Sequence, residues 1–158
     1  MKPEYVRGFR DTDAEAVEAL LLAAFGGPGE AGLVRALRAS SALAVELVLP
    51  WEGRIIAHVG LSRMVAPDGW LRLAPLAVAE AWRGRRLGVR MAKAAVSLAV
   101  GRTVVVLGEP AFYARAGFSV ARAAGLVSPY GSSQTLIARP GDDMPEGELI
   151  YPAAFAGA

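Results

Sequence analysis

Apolar and polar positions along this chain switch between a helical and a strand period, and the switches mark out its elements. Tyr5 to Phe9 reads as a short opening strand. Val17, Leu20, Leu21, Ala24 and Phe25 then recur at helical intervals and give a helix one apolar face. Thr12, with Glu15 three residues on, has the capping-box spacing to begin it, and Gly26-Gly27-Pro28-Gly29 ends it. A second short helix with Leu33 and Leu37 on one face follows. The period then shortens. Leu43 to Leu49 and Ile55 to Met64 are β-rich runs separated by Pro50-Trp51-Glu52-Gly53, a hairpin signal. Pro67-Asp68-Gly69 is a second turn and Trp70 to Val78 a third strand. Its Pro75 has no N–H for the ladder, so pairing must fail or bulge there. After a polar loop, Glu80 to Arg86, a helix is expected from about Leu87 to Val100, with Leu87, Met91, Ala94 and Leu98 on one face and Gly101 as its stop. Thr103 to Leu107 is a continuous apolar run of the kind buried on both faces.

Strand, helix and strand in that order imply a right-handed crossover joining parallel neighbours. A short helix at Pro110 to Ala114, a strand from Phe118 and another from Gln134 to Arg139 complete the pattern. The tail, with Tyr151, Pro152 and Phe155, is apolar enough to pack as a last strand or against a partner, which leaves a homodimer open. The expected architecture is α+β: a mixed, mainly antiparallel sheet with one central parallel β-α-β crossover and helices on both faces.

Composition narrows the chemistry. At 158 residues the chain suits one domain over residues 1–158, able to bury roughly two-thirds of its surface. Cysteine is absent and His58 is the one histidine, which excludes disulfides, thiolate chemistry and a histidine-rich metal centre; no metal site is expected. The most apolar stretch, Met91 to Val100, carries Lys93 and falls short of the ~20 residues of a membrane span, so no membrane role is expected. Met1-Lys2-Pro3-Glu4 lacks the apolar core of a secretory signal, and a cytoplasmic location is expected. A net charge of +2 is too small to argue for nucleic acid. Arginines do gather at Arg83, Arg85, Arg86 and Arg90, and a local cluster in a nearly neutral chain suits a small anionic ligand.

A loop entering a helix is a natural anion site, because the first N–H groups have no intrahelical partners and the helix dipole favours negative charge. Arg83-Gly84-Arg85-Arg86-Leu87-Gly88 supplies one, with two glycines for close backbone approach. On spacing alone an ordinary strand-to-helix turn with solvated arginines fits somewhat better. Leu76-Ala77-Val78 followed by Arg83 to Gly88 resembles the acetyl-CoA signature of Gcn5-related N-acetyltransferases: Gln or Arg, two residues, Gly, one residue, Gly or Ala. Leu107-Gly108-Glu109-Pro110-Ala111-Phe112-Tyr113-Ala114-Arg115-Ala116-Gly117-Phe118 resembles the segment that closes the cofactor site in that family, in particular its YhbS-like bacterial subgroup. The resemblance runs over nearly the whole chain in element order. Arg86 departs from it, standing where the signature has its first glycine.

The resemblance implies an acetyl-CoA-dependent N-acetyltransferase acting by direct transfer to a primary amine on a small-molecule or peptide acceptor. The strand carrying Pro75 and the strand Thr103 to Leu107 would splay, with the pantetheine arm between them. Backbone of Leu76, Ala77 and Val78 would hold that arm, and the loop Arg83, Gly84, Arg85, Arg86, Leu87, Gly88 and Val89 would cradle the pyrophosphate. Tyr113 is the implied general acid for the departing thiolate. His58 alternates with Gly60 and Ser62 onto one strand face, where an imidazole suits a base; a histidine satisfied by a backbone carbonyl, a loop glutamate (Glu80 or Glu109) or a chain of waters remain alternatives. Trp82 receives no role. A non-catalytic acyl-CoA-binding regulatory domain of the same fold is the rival reading. The acidic stretches Asp11 to Glu15 and Asp142 to Glu148 either draw a cationic acceptor or serve as a cap and a solvated loop.

Overall fold

A computed structural model describes residues 5–157; the N-terminal stretch considered above for a secretory signal lies outside them. The elements, in chain order, are β1 (Arg7–Gly8), α1 (Ala14–Phe25), α2 (Gly29–Ala39), β2 (Leu43–Trp51), β3 (Arg54–Arg63), β4 (Leu71–Val78), α3 (Leu87–Leu98), β5 (Val104–Leu107), α4 (Pro110–Ala114), β6 (Leu126–Val127), β7 (Thr135–Ala138) and β8 (Gly147–Glu148). Six strands form one sheet in the order β1-β2-β3-β4-β5-β7, antiparallel except for the β4–β5 pair. β6 and β8 pair separately. The β2–β3 hairpin closes through Glu52 and Gly53 at φ 47° and 75°, the left-handed pair whose twist matches the flanking strands.

The β4–α3–β5 crossover lays α3 on one face, where Met91, Ala92 and Ala95 are fully buried against β2, β3 and β4. α1 and α2 cover the other face. The mixed sheet, single parallel crossover and helices on both faces are as the patterning indicated. Val104, Val105 and Val106 are at most 1% exposed, as expected of a strand covered on both faces.

Four local readings are corrected. Strand β1 is only Arg7–Gly8, because nothing pairs with Tyr5 or Val6. The turn into α1 is closed by Asp13, which accepts the Arg10 N–H at 2.8 Å and a fork from Arg7 at 2.8 and 2.9 Å, not by Thr12 and Glu15. The buried stripe of α3 runs Leu87, Met91, Ala92, Ala95 and Ala99; Leu98 is 52% exposed, since alanines let the helix lie close to the sheet and rotate Leu98 away. The strand expected from Phe118 is a single bridge between Ser119 and Ile137, followed by a 3-10 turn. The tail packs within the chain: Tyr151 and Phe155 join Leu33, Leu37 and Ile137 in one buried cluster. Among the described residues no helix is long and apolar enough to cross a membrane.

Candidate active site

Pro75 does what its chemistry requires. Against β3, Val59 faces Leu76 and Leu61 faces Leu73, so Gly60 alone opposes Ala74 and Pro75 in a bulge. The extra residue reverses the side-chain alternation of β4. Before it, Leu71 and Leu73 face the α3 core while Ala74 packs with the α2 cluster; after it, Leu76 and Val78 turn to the α3 side and Ala77 joins the α1 cluster. Pairing with β5 stops at Leu73↔Val106. From Ala74 onward the edge of β4 towards β5 is therefore open, and the backbone of Leu76, Ala77 and Val78 lies along a V-shaped seam.

The loop beyond β4 builds one wall of a cleft of about 570 Å³ on the α3 face. Leu76, Val78, Arg83, Gly84, Arg86, Leu87, Gly88 and Val89 line it together with Trp82, Phe112, Tyr113 and Arg115. Ala77 and Arg85 do not: the Ala77 methyl points to the other face, and the Arg85 guanidinium stacks 4.6 Å over Trp82 on the outside of the loop. The Arg83 side chain is also turned back, donating to the carbonyls of Val78 at 3.2 Å and Ala24 at 3.4 Å, so it fastens the loop to β4 and α1. Arg86 occupies the N-cap of α3 at φ 60°, ψ 22°, the left-handed backbone that glycine adopts without strain. An arginine thus carries the glycine conformation and adds a cation beside the free N–H groups of the helix start. A neighbouring cleft of about 600 Å³ continues along α3 between Arg86, Arg90, Lys93 and Arg115, an electropositive trough with no acidic residue in its lining.

Two glycines of the signature segments, Gly88 and Gly108, make room for aromatic rings. A Cβ at Gly88 would sit 2.9 Å from Cζ of Phe112, and one at Gly108 would sit 2.5 Å from Cε2 of Tyr113. Tyr113 stands edge-on to Phe112 and Phe118, with ring centroids 4.8 and 5.6 Å away, and is half-buried in the cleft wall. Burial pushes its phenol above the ordinary value, so the hydroxyl is a proton donor at neutral pH. Glu109, one of the glutamate alternatives, instead caps α4 through the Ala111 N–H.

His58 lies on the opposite face with Gly60 and Ser62, and is fully buried. Its partner is not a backbone carbonyl. Nε2 is 2.7 Å from Oε2 of Glu46 on β2, and Arg38 of α2 forks onto the same carboxylate at 3.0 and 2.7 Å. Burial alone would raise the Glu46 pKa, but the hydrogen bonds from His58 and Arg38 outweigh it and hold the carboxyl below its usual value. An ionised Glu46 accepts, so Nε2 carries the proton and the Nδ1 of a neutral ring is left as a lone pair; that atom is buried without a partner. Sequence reasoning missed Glu46, Arg38, Phe112 and Arg115. Glu46 did leave a signal, a lone carboxylate inside the apolar run Leu43 to Leu49. Within the acidic stretches Asp13 pairs with Arg7, and Asp143 with Arg122 and Arg139.

A sheet opened by a bulge, a basic helix start below it and a tyrosine closing the cleft define an acyl-CoA-dependent transferase fold, and the chain belongs to the GNAT acetyltransferase family, whose model matches residues 14–118. It is 35% identical to YhbS, an uncharacterized N-acetyltransferase of Escherichia coli K12, over 116 residues that make up 69% of this chain and 70% of YhbS. The crystal structure of E. coli YhbS in complex with CoA superposes with a TM-score of 0.88 at 31% identity, covering 99% of this chain and 95% of that one. A GNAT family acetyltransferase from Brucella melitensis in complex with acetyl-CoA gives 0.81 at 29% identity, over 96% and 97% of the two chains.

Proposed function

We propose that this protein is an N-acetyltransferase that transfers the acetyl group of acetyl-CoA directly to a primary amine in a ternary complex. The observation that carries it is the meeting, in one cleft, of the open β4 edge, the arginine loop and Tyr113. The pantetheine arm lies along Leu76 to Val78 and pairs with their backbone as an added strand would. The pyrophosphate takes the N–H groups at the start of α3, with Arg86 beside it, and the more distal phosphate lies in the trough of Arg90, Lys93 and Arg115.

The amine comes through the seam from the α1–α2 face. Its nitrogen attacks the thioester carbon, an N–C bond forms, the C–S bond breaks and the sulfur leaves as thiolate. Tyr113 gives the thiolate its proton. The nitrogen loses a proton to His58 Nδ1, directly or through one water, with Glu46 holding the ring in the tautomer that leaves Nδ1 free.

Calorimetry with acetyl-CoA and with CoA is the first test. Micromolar binding of both, followed by release of free CoA when amines are added, is the expected result. No binding of either ligand would overturn the reading. Binding with no CoA release to any amine would leave the regulatory, non-catalytic alternative standing.

A further inference from the structure

Five arginines among the described residues are partly buried: Arg7, Arg38, Arg72, Arg122 and Arg139. Four reach a carboxylate. Arg72, on β4, does not. Its guanidinium instead lies 4.0 Å from the ring centroid of Phe155, 4.7 Å from that of Tyr151 and 5.7 Å from that of Tyr130, with the Tyr130 hydroxyl beside it. Its Nε is buried with no hydrogen-bond partner. Directly across the ladder stands Ser62, fully buried, whose Oγ is likewise without a partner. Leaving a partly buried cation without a counter-charge is costly, and aromatic faces offset only part of that. A guanidinium set among aromatic rings with a donor left unpaired can receive a planar anion.

The position of Arg72 gives this receptor a purpose. It stands just before Leu73, where β4 parts from β5, and on the face opposite the cofactor cleft. Along that face, β3 presents His58, Gly60 and Ser62 in turn. Gly60, between them, bears no side chain of its own, and a Cβ there would meet the Ala74 carbonyl oxygen and Cδ2 of Leu43, each at 3.1 Å. The seam and Arg72 are about two strand residues apart, or ~7 Å. Tyr130, at the rim of the cage, is 49% exposed, and a cleft of about 390 Å³ runs beside it and Tyr151.

We infer that the acceptor is an amine that also carries a carboxylate, with Arg72 and Ser62 binding the carboxylate while the amine reaches the seam. The separation favours an amine placed several bonds from the carboxylate, as in a lysine side chain or 6-aminohexanoate. This inference rests on the acetyltransferase reading above.

The test compares 6-aminohexanoate and lysine with pentylamine and cadaverine, their counterparts without the carboxylate, by following CoA release. A kcat/KM preference of roughly 10- to 100-fold for the carboxylate-bearing member of each pair is expected, the range of a charge-assisted contact. Arg72→Gln should lose that preference, mostly through KM, while the Kd for acetyl-CoA, bound on the other face, stays unchanged. Hexanoate titrated into the CoA-saturated wild-type protein by calorimetry gives a readout independent of any variant's folding or of turnover, and binding there is expected. Equal rates within each pair, or no hexanoate binding to the CoA complex, would overturn the inference. If acetyl-CoA itself fails to bind, the acetyltransferase reading falls with it; if acetyl-CoA binds and the carboxylate makes no difference, only the acceptor assignment falls.

Discussion

The two faces of the sheet carry different kinds of chemistry. On the α3–α4 face the cleft is made from one continuous loop, the helix it enters and one short helix, and its basic groups stand at the surface. On the α1–α2 face the polar groups are single side chains gathered from separate elements: Arg38 from α2, Glu46 from β2, His58 and Ser62 from β3, and Arg72 from β4. They are buried or half-buried, and several retain unpaired atoms. The first arrangement is what a helix start offers to any anion. The second can select, because each buried donor or acceptor must be matched individually. The bulge at Pro75 joins the two by turning β4 over between them.

Variants on one face should therefore leave the other face's ligand alone. The largest effect is expected from Tyr113→Phe, with kcat lowered by about 10²–10⁴-fold and little change in acetyl-CoA affinity measured by calorimetry. A comparable loss of affinity would mean that Tyr113 serves binding, and the assigned role would be wrong.

Glu46→Gln is expected to act next most strongly, as Glu46 positions His58. Losing the charge should cost about 1–3 kcal/mol at pH 7, read from urea melts. The folded-state pKa of Glu46 lies below its ordinary value of 4.5, so its contribution is present above pH 4.5 and disappears as the pH falls through the folded value. The stability gap between wild type and variant should narrow on acidification below pH 4.5. The acidic limb of the rate–pH profile, which reports deprotonation of the base, should also move, while acetyl-CoA binding does not. An unmoved profile would reduce the Glu46–His58 pair to a structural element.

The smallest effect is expected from Arg86→Gly. Removing a side chain from a left-handed N-cap should stabilise the fold by up to about 1 kcal/mol. Losing an exposed cation should weaken acetyl-CoA binding by about two- to fivefold. Unchanged affinity would show that the backbone of α3 alone holds the phosphates.

Contiguous features could be read from the sequence. The hairpin at Glu52-Gly53, the bulge at Pro75, the buried run Val104–Leu107 and the loop Arg83 to Gly88 each depend on residues close in the chain, whose local chemistry admits few conformations. Tyr113, which lines the cleft, stands out in the sequence because its whole segment is contiguous. The α3 stripe and the strand after Phe118 were misjudged, because helix rotation and strand pairing depend on what lies opposite.

The sequence by itself determined the layered fold, the opening in the sheet and the basic helix start, since proline, glycine and arginine act within a few residues of where they stand. Only the tertiary structure decided that Glu46 holds His58, that Arg83 is tied back to the Val78 carbonyl while Arg85 stacks on Trp82, and that Arg72 stands among Tyr130, Tyr151 and Phe155 with no counter-ion among the described residues. Those relations join residues far apart in the chain, and no periodicity encodes them. They arise because the hydrophobic cores fix the elements first, and the few polar side chains left between those elements must then find partners or remain without one.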